Sequence, residues 1–206
     1  LYIVPSSIVC HETEVENIKK IKEINNKNKI LTTGPFASSF PQNYIKAGSK
    51  VIAGEPDIFF LTFKNENLSM FDDYPDLIQS TTFIDLDELY LPAWDIILKH
   101  MKPKMKMLGK GLTLPIYASR GCPYSCFYYC TYPLQQGRKL RLRSSSKIVA
   151  EMLHWHNKYK VKNFIFRDPV FSINKKHTLE LLKKIADLDI KFNLCVETHL
   201  KNIDDE

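Results

Sequence analysis

The stretch from Ser119 to Arg143 reads SRGCPYSCFYYCTYPLQQGRKLRLR, and its cysteines give the first indication of the fold. Three of the chain's 5 cysteines, Cys122, Cys126 and Cys130, lie here, directly after an apolar run that predicts a strand. Soft thiolate ligands suit iron, so three of them on a short loop at a strand end could hold three irons of a 4Fe-4S cluster. The fourth iron would then be open to a small molecule.

Further motifs follow the cysteine loop in a fixed order. They are TYP directly after the third cysteine, FIFRDPVFS and CVETHL. Together with SRGCPYSC they resemble the radical S-adenosylmethionine (radical SAM) enzymes, in the branch that carries an N-terminal cobalamin-binding domain. The usual cysteine spacing in that family is three residues and then two. This sequence departs from it, because Phe127, Tyr128 and Tyr129 put three residues between Cys126 and Cys130.

The resemblance implies an enzyme whose cluster cleaves S-adenosylmethionine to a 5'-deoxyadenosyl radical, which abstracts hydrogen from a small-molecule substrate. It implies that Tyr129 lies against the adenine and that Asp168 and Glu197 bind the ammonium and sulfonium groups of the cofactor. The alternative for each carboxylate is a local salt bridge, for example that of Asp168 with Arg167. An electron donor such as flavodoxin or ferredoxin would supply the electron. Cobalamin, where it is bound, would deliver a methyl group, so methyl transfer is one outcome in this branch. We assign no catalytic side chain from the sequence.

Other interpretations of the three cysteines stay open. A non-catalytic zinc or iron-sulfur module would also use close cysteines, although zinc sites commonly come as two separated pairs. Free cysteines are also often buried in protein cores. An inactive, truncated remnant that keeps the cysteine loop is a further alternative.

The first part of the chain, residues 1–64, predicts strands that alternate with helices, which indicates a parallel α/β sheet. The predicted strands end at Thr33 and at Ala53, so the loops that follow them face one crevice at the carboxyl edge. The resemblance implies a partial Rossmann-like, cobalamin-binding-like domain in which two strand-end pairs contact the nucleotide tail of cobalamin: Thr33 with Gly34, and Gly54 with Glu55. The two glycines could equally serve tight turns.

The remainder predicts a linker over 65–110 and the N-terminal half of a radical SAM (β/α) barrel over 111–206. Strands predicted at 161–166 and 192–196 precede Asp168 and Glu197, and the active site of a β/α barrel lies at the carboxyl ends of its strands. Alternation in 138–143 predicts an extended segment whose charged face comprises Lys139, Arg141 and Arg143. Because the chain lacks an initial methionine and ends after a predicted strand, we expect a piece of a longer enzyme.

Composition narrows the class of protein. The 206 residues are 44% hydrophobic with a formal net charge of +6, which is typical of a globular chain. No apolar run approaches the length of about 20 residues that spans a bilayer. The basic segments lack the interleaved aromatic residues that would indicate nucleic-acid binding. Ligand thiolates need a reducing compartment, so we expect a cytoplasmic protein.

Overall fold

The computed structural model describes residues 1–63, 68–100, 111–126 and 130–203. These form two compact units. Unit 1 comprises Leu1–Ile84 and Cys122–Lys139, and unit 2 comprises Asp85–Gly121 and Leu140–Glu206. The domain boundaries predicted from the sequence, at 1–64, 65–110 and 111–206, stay a prediction.

The described chain contains strands and helices in mixed α/β order. The strands are β1 (Tyr2–Pro5), β2 (Ile30–Thr33), β3 (Lys50–Ala53), β4 (Leu77–Gln79), β5 (Thr113–Ile116), β6 (Ser119–Arg120), β7 (Arg141–Leu142), β8 (Asn163–Phe166) and β9 (Asn193–Cys195). The helices are α1 (His11–Ile24), α2 (Pro35–Ser39), α3 (Pro41–Ile45), α4 (Asp57–Phe63), α5 (Trp94–His100), α6 (Tyr132–Gln136), α7 (Ser145–Tyr159) and α8 (Lys175–Ala186). Short 3-10 helices occupy Leu68–Asp73, Leu86–Glu88 and Leu200–Asn202.

Unit 1 is built on a four-stranded parallel sheet in the order β1-β2-β3-β4. Successive residues of a strand point to opposite faces, so each strand contributes to two cores. One core contains Ile18, Ile30, Ala37, Tyr44, Ala47 and Val51, from α1, α2 and α3 with β2 and β3. The other contains Leu31, Ile52, Phe59 and Phe71, from the same two strands with α4 and the 3-10 turn after it. The sheet is therefore covered on both faces, as in Rossmann-like folds.

The parallel α/β sheet predicted for the first part of the chain is confirmed, with one correction. We expected Lys50–Ala53 to be its last strand, but β4 pairs with β3 through Ile52 opposite Ile78. The short β4 lies in the segment predicted as linker, between acidic residues and prolines that obscure its apolar pattern. The Rossmann-like sheet thus extends one strand further than predicted.

Unit 2 contains a three-stranded parallel sheet in the order β5-β8-β9 and a two-stranded antiparallel ribbon of β6 and β7. Its core brings the three central strands together with α7 and α8 around the buried Trp155. Helix α7 begins at Ser145, because the side chain of Ser144 accepts a hydrogen bond from the backbone N–H of Lys147. The described strands form an open sheet, and a barrel is not shown.

Candidate functional site

The carboxyl edge of the unit 2 sheet is organised around Asp168, which follows β8. Its side chain is 0% exposed and accepts hydrogen bonds from two groups after β5. The Ala118 backbone N–H lies 3.1 Å from Oδ2, and the Ser119 hydroxyl lies 2.6 Å from Oδ1. Burial raises the pKa of Asp168, although the Ser119 and Ala118 hydrogen bonds act in the opposite direction. Asp168 therefore ties two strand ends together.

Glu197 follows β9 and is much more accessible. Its side chain is 58% exposed and lies 3.3 Å from the guanidinium of Arg167. The Glu197 backbone carbonyl accepts a hydrogen bond from the Phe171 N–H at 2.8 Å, so the loops after β8 and β9 pack together. At this edge the structure thus places one buried carboxylate and one exposed carboxylate. The sequence predicted the strand-end positions of both and did not predict their difference in burial.

The carboxyl edge of the unit 1 sheet carries the other predicted residues, Thr33, Gly34, Gly54 and Glu55. The chain leaves β2 toward the face covered by α2 and α3, and it leaves β3 toward the face covered by α4. Adjacent strands whose connections go to opposite faces open a crevice at their carboxyl ends, which is where α/β sheets bind ligands. Thr33 Oγ1 is buried there without a hydrogen-bond partner among the described residues.

The two glycines at this edge also have local structural reasons. Gly34 has a φ of 123°, and a Cβ atom there would lie 2.7 Å from the backbone oxygen of Ser6. Gly54 has a φ of 101°, and its N–H donates to Ser38 Oγ at 3.1 Å. The alternative that these glycines serve tight turns is therefore realised in the backbone. Glu55 is buried beside them.

The three cysteines of the loop differ in their surroundings within unit 1. Cys122 is buried, Cys126 is exposed and Cys130 is partly exposed. Burial raises the pKa of the Cys122 thiol, which disfavours the thiolate that a metal needs. Tyr129, the predicted adenine contact, lies outside the described residues. Over residues 1–63, 68–100, 111–126 and 130–203, no three His, Cys, Asp or Glu side chains form a group that could hold a metal ion.

The described side chains therefore do not form a site for a 4Fe-4S cluster, and they do not form one for the zinc ion of the alternative module. The ligand role of the three individual cysteines stays a prediction.

The basic segment after the loop needs a correction as well. We expected Arg143 on the charged face of an extended segment. Instead, Arg143 and Glu151 form an ion pair with side-chain exposures of 9% and 3%. The apolar periodicity of α7 gave no sign of this contact, because the pattern ignores charged residues. Arg143 lies just before α7, and Glu151 lies eight positions later within that helix. This spacing is too weak a signal to identify a buried ion pair.

Two hydroxyl groups that form hydrogen bonds at the carboxyl edges of the unit 1 and unit 2 sheets were not predicted from the sequence. Ser119 binds Asp168 in unit 2, and Ser6 accepts a hydrogen bond from the Ala37 N–H at the start of α2 in unit 1. Ser119 is the first residue of the quoted cysteine motif, and only the cysteines of that motif were interpreted as functional residues. The serine after a predicted strand was the available signal.

No family model matches the chain. Similarity extends to an uncharacterized methyltransferase of Pyrococcus horikoshii, 30% identical over 111 residues, which is 52% of this chain and 23% of the relative. The bacteriochlorophyllide d C-12(1)-methyltransferase of Chlorobaculum tepidum is 35% identical over 82 residues, 39% of this chain and 18% of the relative. The cytidylyl-2-hydroxyethylphosphonate methyltransferase of Streptomyces wedmorensis is 27% identical over 127 residues, 59% of this chain and 24% of the relative. The matched segments thus span about a quarter or less of these relatives.

These comparisons correct the identification made from the motifs. What the relatives share is the name methyltransferase, and no radical SAM or cobalamin-binding family model matches. The predicted radical cleavage of S-adenosylmethionine, the 4Fe-4S cluster, the cobalamin and the electron donor are not supported. Of the described helices, none has the length and apolar character needed to cross a membrane.

Proposed function

We propose that the chain is part of an S-adenosylmethionine-dependent methyltransferase that acts on a small molecule. The observation that carries the proposal is the similarity to named methyltransferases, which reaches 59% of this chain. In such a reaction the methyl group passes from the sulfonium of S-adenosylmethionine to the substrate, and S-adenosylhomocysteine is released. The 5 cysteines are all free, which supports a cytoplasmic location.

The carboxyl edge of unit 2 is our proposed S-adenosylmethionine site. Glu197 offers an exposed carboxylate, which complements the ammonium and sulfonium of the cofactor. Asp168 stabilises the site, because its hydrogen bonds with Ala118 and Ser119 link the chain after β8 to the chain after β5. The crevice after β2 and β3 in unit 1 is a second predicted ligand site, supported by the unpartnered Thr33 hydroxyl.

Calorimetric titration of the 206-residue chain with S-adenosylmethionine and S-adenosylhomocysteine tests the proposal. We expect both to bind, and we expect Glu197→Gln to weaken S-adenosylmethionine by about three- to tenfold, since one charge-assisted contact is lost. Glu16→Gln is the matched control, because Glu16 is also exposed and paired with a basic residue but lies on α1 of unit 1. A folded chain that binds neither compound, or an equal loss in both variants, would overturn the proposal.

A further inference from the structure

A cavity of about 630 Å³ lies at the amino edge of the unit 1 sheet, where β2 and β3 begin. Its volume is within the range of small-molecule sites. The apolar part of its wall includes Ile30, Ile45 and Phe71. Its charged residues are four lysines and two aspartates, namely Lys22, Lys27, Lys29, Lys50, Asp72 and Asp76. The wall therefore carries an excess of positive charge.

Two of the lysines are largely buried and share one aromatic ring. The side chains of Lys29 and Lys50 are 18% and 14% exposed, and their ammonium groups lie 5.7 and 5.8 Å from the centroid of Phe71. Ammonium groups withdrawn from water need an anionic or hydrogen-bonding partner. For Lys29 this partner is the carboxylate of Asp72 at 2.5 Å. Lys50 donates to the backbone carbonyls of Tyr74 and Asp72 and lies 3.5 Å from the carboxylate of Asp76.

The two aspartates are much more exposed than the lysines with which they pair. Both carboxylate side chains are 72% exposed, so either can turn into solvent at little cost in hydration. The lysine ammonium groups, in contrast, stay at the cavity wall. The carboxylate of Asp72 thus occupies a position that an incoming anion could take over.

The other two lysines have no carboxylate partner among the described residues. Lys22 donates to the backbone oxygens of Asn26 at 3.1 Å and Asn28 at 2.7 Å, and it forms no ion pair with a described carboxylate. Lys27 is exposed at the cavity and forms no ion pair with another described residue. Lysine binds phosphate groups as a compact point charge, and several of them around one cavity suit a multiply charged anion.

We propose that this cavity binds the diphosphate or triphosphate group of a small molecule. The site lies at the opposite edge of the sheet from the crevice after β2 and β3, and it does not depend on the proposed methyl transfer. Lys29 releases the carboxylate of Asp72, Lys29 and Lys50 contact the anion, and Lys22 and Lys27 supply the additional charge.

Calorimetric titration of the 206-residue chain with inorganic pyrophosphate at fixed ionic strength tests the site. We expect one site per chain. Asp72→Asn removes the competing carboxylate and should tighten binding about two- to fivefold, whereas Lys27→Gln should weaken it by a similar factor. The double variant Lys29→Gln with Lys50→Gln should weaken binding at least tenfold, with circular dichroism to show that it folds.

The control is Lys20→Gln, which changes the net charge as Lys27→Gln does. Lys20 is exposed on α1 and pairs with Glu16 outside the cavity. If Lys20→Gln and Lys27→Gln lower the pyrophosphate affinity equally, the loss reflects only the net charge of the chain, and the proposal would be overturned. Unchanged or weaker binding in Asp72→Asn would overturn it too, because that outcome contradicts competition between the Asp72 carboxylate and the anion at Lys29.

Discussion

The buried ion pair of Arg143 and Glu151 makes a quantitative test of how unit 2 is held together. Arg143 directly follows β7, and its backbone N–H donates a hydrogen bond to the carbonyl of Ala118 at 2.9 Å. Its own carbonyl lies 2.7 Å from Nε2 of His177 on α8. The pair thus sits where the ribbon, α7 and α8 meet. We expect Glu151→Gln to destabilise unit 2, because the arginine would stay buried without a counterion.

The expected loss in the free energy of unfolding is about 3–5 kcal/mol, the usual cost of removing one partner of a buried pair. With a denaturant slope of about 2 kcal/mol per molar urea, the midpoint should fall by roughly 2 M. Urea unfolding followed by tryptophan fluorescence measures this directly. Both tryptophans of the chain, Trp94 and Trp155, belong to unit 2, so the signal reports that unit alone.

A second variant separates the ion pair from general damage to the core. Replacing both partners, with Arg143→Met and Glu151→Leu, should restore the stability to within about 1 kcal/mol of the original, since no charge is left buried. The Arg143 Nε atom has no hydrogen-bond partner among the described residues, which favours that recovery. Lys158→Gln, which breaks a more exposed pair with Asp95, is the control and should leave the urea midpoint almost unchanged. A Glu151→Gln chain as stable as the original, or a double variant no better than the single one, would refute the reasoning.

Further predictions concern the site residues. Burial raises the folded-state pKa of Asp168 above its ordinary 3.8, so the stability contributed by its protonated form is complete below that value and is lost as pH rises through the folded pKa. Asp168→Asn should remove this decline of the free energy of unfolding with rising pH, as urea unfolding from pH 4 upward would show. If the free energy of unfolding of the variant still falls with pH as it does in the original chain, the prediction is contradicted. Cys126 should react with iodoacetamide at least about tenfold faster than Cys122, as peptide mass spectrometry would show, because Cys122 is buried and the pKa of its thiol is raised. Equal rates would contradict the burial difference. Gly34→Ala should cost unit 1 about 1–3 kcal/mol, measured by circular dichroism in urea, because its φ is 123° and its Cβ would meet Ser6; an unaffected midpoint would argue against that backbone.

Regular apolar patterns made much of the fold predictable. In α7 the apolar residues Ile148, Met152 and Trp155 recur at helical spacing, and all three side chains are buried in the core. The run before Asp168 gave β8, since four consecutive buried residues form it. The short β4 escaped because three residues cannot establish a period.

The candidate site was less predictable, because its chemistry depends on contacts between distant segments. Asp168 follows a strand as predicted, yet its hydrogen-bond partner Ser119 lies far earlier in the chain. Proximity in sequence likewise did not bring Cys122 and Cys126 into one environment, since the first is buried and the second exposed. The motif order therefore predicted a cluster that the described side chains do not form.

The wholly parallel pairing of the two larger sheets has a consequence for how the chain folds. Within the described residues, every strand pair joins segments that are far apart in sequence. The pairs range from Leu31 opposite Lys50 to Thr113 opposite Asn163, and the antiparallel ribbon spans the cysteine loop. No local hairpin is available among them to nucleate a sheet, so loop-closure entropy must be overcome before strand contacts form. We expect the helices to form early and the sheets to assemble late, which makes folding slow compared with that of a helical protein of equal length.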